Sequence, residues 1–116
     1  MQQARQVNVD GIVKLLDSVA KHCHLQRAVH LSGYMLTLQD HLSAAGVCLK
    51  QIEQTNWQQV YHHLGAYEAS KIEGHFRWIQ HANAHDIPWT VIHSATVLGD
   101  EKSGTIPGNQ PIAHLI

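Results

Sequence analysis

Tyr67 and Lys71 stand four residues apart in the stretch Tyr67-Glu68-Ala69-Ser70-Lys71. On a helix that spacing puts both side chains on one face, one turn apart. A phenol alone, with an ordinary pKa of about 10, is a poor base at neutral pH. A neighbouring ammonium favours the phenolate. A phenol tuned in this way takes a proton from an alcohol or gives one to a carbonyl oxygen. That chemistry suits reversible alcohol–ketone oxidation. The same spacing also occurs in surface pairs that do no chemistry, so the flanking sequence has to discriminate.

Histidine is the second candidate, with eleven in 116 residues. His22-Cys23-His24, His62-His63 and the set His75, His81 and His85 invite a metal reading. His81 and His85 share a helix face. No Cys-x-x-Cys and no His-Glu-x-x-His accompanies them. They read as solvated helix histidines, and no metal is expected.

The elements that must position Tyr67 and Lys71 follow from patterning. A helix is predicted over Val7–His22, where Ile12, Leu15, Leu16, Val19 and Cys23 recur as one apolar stripe. Gln26–Ser32, closed by Gly33, reads as a buried parallel strand. Met35–Leu49 reads as a short helix or irregular excursion. A long helix is predicted from Trp57 to His85, with Val60, Leu64, Tyr67, Lys71, Phe76 and Ile79 on or near its inward side. Asp86-Ile87-Pro88 ends it, because the residue before proline avoids helical geometry. Trp89–His93 reads as a second buried strand, and the chain from Gly99 onward as loop. Helix, strand, helix, strand implies an α/β fold with parallel strands.

The formal net charge is −1, so no electrostatic pull toward nucleic acid or anionic lipid is expected. No run of 18 apolar residues suggests a membrane span, and the polar start Met1–Gln6 lacks a signal-peptide core. Cys23 and Cys48 make no disulfide framework, and a cytoplasmic protein with reduced thiols is the simpler reading.

Four stretches, in order, resemble the short-chain dehydrogenase/reductase superfamily, in its extended or atypical branch of NAD-dependent epimerases, dehydratases and reductases. Asn8-Val9-Asp10-Gly11, followed by Leu15-Leu16, is similar to the family's Asn-Val-x-Gly helix. Val29-His30-Leu31-Ser32-Gly33 resembles its strand ending in a serine-bearing loop. Tyr67–Lys71 matches its Tyr-x-x-x-Lys, with the common Ala-Ser filling. Trp89–Gly99 is similar to its Thr-Ile-Leu-Arg-Pro-Gly-Thr-Val-Tyr-Gly segment.

The resemblance implies a partial Rossmann-like βαβ arrangement and a cofactor, NAD or NADP, in the parent protein. It implies Tyr67 as general acid/base, and Lys71 as the group that lowers its pKa and holds the cofactor's ribose. It makes Asn8 a support of a proton relay and puts Ser94, Ala95 and Thr96 near the nicotinamide. Ser32 falls at the serine loop, but Gly33 and Tyr34 occupy the next positions, so either Ser32 or Tyr34 supplies the substrate-side hydroxyl. His93-Ser94 replaces the family's Arg-Pro. The family's Gly-x-x-Gly-x-x-Gly loop does not occur in the chain. Residues 1–116 therefore read as one partial NAD(P)-binding domain, an internal piece of a longer enzyme and inactive alone. The expected partners are a small-molecule substrate and a second copy, docked through the two long helices. The competing reading is a self-association module built from those helices without catalysis.

Overall fold

The computed structural model describes residues 1–95, 102–103 and 105. Its N-terminal helical run starts earlier than the apolar stripe suggests. α1 (Gln2–Arg5) passes into a π-helical segment, Gln6–Gly11, and then into α2 (Ile12–His22). Leu16 is buried, but Leu15 and Cys23 are exposed, contrary to the expected stripe. Adjacent helical residues diverge by about 100°, so α2 cannot bury both Leu15 and Leu16 against one neighbouring helix.

β1 (Ala28–Gly33) follows, then a 3-10 turn, Tyr34–Thr37, α3 (Gln39–Ala44) and a second 3-10 turn, Ile52–Gln54. This is the short-helix excursion expected between the strand and the long helix. Leu36, Leu42, Val47 and Leu49 turn inward from it onto the core.

The single long helix is instead two, α4 (Trp57–Leu64) and α5 (Ala66–Ala84). Gly65 lies between them at φ 85°, a left-handed conformation that no helix interior contains and that glycine adopts without strain. Asn56 caps α4 by accepting a hydrogen bond from the Gln59 N–H at 3.3 Å. α5 closes with paired backbone bonds, Ile87 N–H to Ala82 O at 2.9 Å and Asp86 N–H to Asn83 O at 3.3 Å. Asp86 takes φ 53° at that Schellman-type end, and Pro88 prevents continuation.

β2 (Trp89–Ser94) pairs in parallel with β1, in register from Ala28 opposite Trp89 to Gly33 opposite Ser94. The fold is α/β, a partial Rossmann-like arrangement with parallel strands. Ala28 of β1 and Trp89 and Val91 of β2 pack with α2 and α5. The strands are not buried on both faces as expected: Val29, Leu31 and Ile92 are exposed, Leu31 at 70%. Among the described residues helices cover one face of the sheet only. No described helix is long and apolar enough to cross a membrane.

α5 is the spine, with a core cluster on each side. Val60, Tyr61, Ala69 and Ile72 join Leu42 and Val47 in one; Leu16, Trp78, Ala82 and Ile87 join Ala28 in the other. Its buried residues include Ser70, Glu73, Gly74 and His75, while Tyr67 and Lys71, expected on or near the inward side, are exposed. The π-helical segment crosses α5 at Gly74, where a Cβ would overlap the Asn8 carbonyl oxygen and meet Ile12 Cδ1 at 3.2 Å. One residue earlier, the buried Glu73 carboxylate accepts from Arg5 Nε at 3.1 Å, Arg5 Nη2 at 3.0 Å and the Tyr61 hydroxyl at 2.8 Å. Gly74→Ala should therefore cost about 2 kcal/mol of folding stability through overpacking against backbone. Urea unfolding of the two proteins measures this, and equal midpoints would refute the crossing.

Candidate active site

Tyr67 is the second residue of α5, and Lys71 follows one turn later. Both line a cavity of about 300 Å³ that also takes in the π-helical segment, the C-terminal ends of both strands and the turn after β1. Asn8, Ser32 and Ser94 contribute to the same wall. Four separated stretches of sequence thus deliver five predicted site residues to one cavity. Ala95 is exposed and does not line it. Thr96 lies outside the described residues. Tyr34, the alternative to Ser32, is exposed and is not among the lining residues, whereas Ser32 is.

Tyr67 is 73% exposed. Lys71 Nζ lies 5.8 Å from its centroid, within cation–π range, and makes no ion pair among the described residues. Asn8 reaches the pair from beneath. Its Nδ2 donates to Ser70 Oγ at 2.9 Å, and the Ser70 hydroxyl donates to the Tyr67 carbonyl oxygen at 2.9 Å. Ser70 is fully buried, so this two-bond link fixes the turn of α5 that carries Tyr67. The π-helical geometry of residues 6–11 is what brings Asn8 to this depth.

Sequence reasoning missed the lining residues Glu68 and His30, and also His93, which does not itself line the cavity. Glu68 is tied to His41 of α3, with His41 Nε2 2.7 Å from Glu68 Oε1. His30 stacks on Trp78 with ring centroids 5.0 Å apart. His93, standing where the family has arginine, donates from Nδ1 to the Gly33 carbonyl at 3.1 Å and joins the ends of the two strands. The alternation of β1 was the available signal for His30, since it shares the helix-facing side with Ala28 and Ser32.

Below the cavity His30, His75 and His93 cluster, with centroids 5.8 and 5.6 Å from His75. Burial lowers the pKa of His30, and the positive charge of Lys71 adds to this. Burial pushes His75 down to about 4, with His30 and His93 contributing, and its Nδ1 has no hydrogen-bond partner. Both rings are held neutral.

The folded-state pKa of His75 is below the ordinary value of 6.5, so the unfolded chain takes up the proton first. The stability this ring contributes is fully present above pH 6.5 and is lost as pH falls to about 4. The loss should be about 2 kcal/mol once solvent screening is allowed for. His75→Phe should flatten that part of the stability–pH curve in urea titrations between pH 7.5 and 4.5. A variant curve parallel to the wild type would rule out the neutral ring.

No curated protein and no solved structure matches the chain. A family model described as male sterility protein, of an NAD-binding domain, matches residues 1–116.

Proposed function

The chain belongs to the male sterility protein family of NAD-binding, extended short-chain dehydrogenase/reductase-type domains, and we propose that it carries the acid/base pair of such an enzyme. The parent protein, in this reading, is an NAD(P)-dependent oxidoreductase, epimerase or dehydratase acting on an alcohol or carbonyl. The observation that carries the proposal is the convergence of Tyr67, Lys71, Ser32, Asn8 and Ser94 on one cavity.

Tyr67 holds the transferable proton on its phenolic oxygen. Lys71, free of any ion pair among the described residues, places positive charge beside the phenolate that forms when the proton leaves. Its ammonium would also hold the ribose hydroxyls of the cofactor. Ser32, at the end of β1, orients the substrate oxygen. Asn8 acts through Ser70 and is a positioning residue. NAD or NADP, when bound, supplies or accepts the hydride. The residues present fit its nicotinamide–ribose end, where Lys71 and Ser94 line the cavity. The glycine-rich loop that would hold its pyrophosphate is not among these 116 residues. The uncovered apolar face of the sheet supports the reading as part of a larger doubly wound domain. The free thiols of Cys23 and Cys48 accord with a cytoplasmic setting.

In the longer enzyme, Tyr67→Phe should lower kcat about 10²- to 10⁴-fold and leave cofactor affinity nearly unchanged. Lys71→Ala should lower kcat and weaken cofactor binding together. Full turnover by the Tyr67→Phe enzyme would remove the acid/base role. The 116-residue chain alone should oxidise NADPH no faster than background.

Self-association is the second reading. Val7 and Leu15 favour it, because the first helical run leaves both exposed. Sedimentation at high concentration should show a dimer that Leu15→Glu dissociates, and a monomeric wild type would end this reading.

A further inference from the structure

At the end of α5 away from the cavity, Asp17 of α2 meets His81 and His85. One ligand atom from each lies within 4.8 Å of the other two. The two imidazoles are one helical turn apart, with centroids separated by 4.2 Å and planes inclined at 30°.

Hydrogen bonds decide which atoms are free. His85 Nδ1 stands 2.9 Å from the His81 carbonyl oxygen, which only accepts, so Nδ1 carries the proton. That tautomer leaves the lone pair on Nε2. A ring held by its second nitrogen on a backbone carbonyl is the usual posture of a metal-bound histidine. Asp17 Oδ2 accepts from Lys21 Nζ at 2.7 Å, which orients the carboxylate from outside and leaves Oδ1 toward the histidines.

His81 Nε2 lies 3.3 Å from Asp17 Oδ1. The atom is buried, yet it has no hydrogen-bond partner among the described residues, Asp17 included. The two atoms are close without being aimed at each other. Two ligands aimed at a common third point have that relation. With bonds of about 2.1 Å and a tetrahedral angle, their separation would be about 3.4 Å.

We propose that Asp17, His81 and His85 bind one divalent metal ion of the zinc class, which clips α2 to the C-terminal end of α5. Two imidazoles and one carboxylate suit zinc and its neighbours, whereas magnesium and calcium take oxygen ligands. Three protein ligands leave a position for water. The cleft beside them, about 390 Å³, is open enough to admit the hydrated ion. The site is independent of the oxidoreductase reading. It also reverses the expectation that these histidines are merely solvated.

The test is calorimetric titration of the untagged chain with Zn²⁺, together with thermal melts with and without the ion. One ion per chain is expected, and Zn²⁺ should raise Tm. Asp17→Asn and His85→Gln should each weaken binding at least tenfold and abolish the Tm increase. His62→Gln should change neither. Absence of binding, or binding untouched by both ligand substitutions, would make Asp17 and His81 an ordinary ion pair. Co²⁺ gives a readout on the wild type alone, should either variant fail to fold. A visible spectrum of four- or five-coordinate cobalt supports the site, and a purely hexa-aquo spectrum overturns it.

Discussion

The backbone carbonyl of Asn8 presses against Gly74, and the geometry of the cavity depends on that contact. No residue with a Cβ fits at 74 without pushing the π-helical segment away. Withdrawal of that segment would break the Asn8–Ser70–Tyr67 link and lift Arg5 from Glu73. Positions 70, 73 and 74 lie on the same side of α5, so one close helix crossing serves all three contacts. Positions 67 and 71 lie seven and three residues before Gly74, on the flank of that same side, where they share the cavity wall with Asn8. The depth of a backbone crossing thus governs the placement of side chains that never touch it.

The two tyrosines of the α4–α5 pair illustrate how environment separates like residues. Tyr61 is buried, and its hydroxyl donates to the Glu73 carboxylate. Burial first, then that bond and the carboxylate's negative charge, raises its pKa strongly and keeps it protonated. It is a structural donor within an ionic cluster that Arg5 completes from α1 and Arg77 borders at 3.7 Å. Tyr67 stands in solvent at the cavity mouth with an ammonium over its ring. A buried carboxylate left without its partners would be costly, so the cluster holds α1, α4 and α5 together as a unit. Tyr67, outside that cluster, is the tyrosine that lines the cavity.

Much of this arrangement is legible along the chain. The two strands, the short-helix excursion and the proline-limited end of α5 follow from local patterns, because turn chemistry and apolar runs are properties of neighbouring residues. The continuous helix over Trp57–His85 was a misreading, since a lone glycine inside a helical pattern is compatible with either continuation or a break. The backbone at Gly65 takes φ 85°, which ends α4 before α5 begins. Tyr67 and Lys71, expected on or near the inward side, are exposed at the cavity for a related reason. Periodicity finds a face, but which face is covered depends on the elements that lie against it.

By itself, the sequence determined the α/β order, the parallel strands, the family and the spacing of Tyr67 and Lys71. Those are encoded in short windows, where spacing translates directly into a shared helix face or a strand. Tertiary structure alone decided that Ser32 rather than Tyr34 lines the cavity, that Tyr61 is buried and Tyr67 is not, and that Asp17 reaches His81. Each of those depends on the approach of segments distant along the chain. That approach is set by how closely two backbones can pack at Gly74, a steric fact that appears only once both are in place.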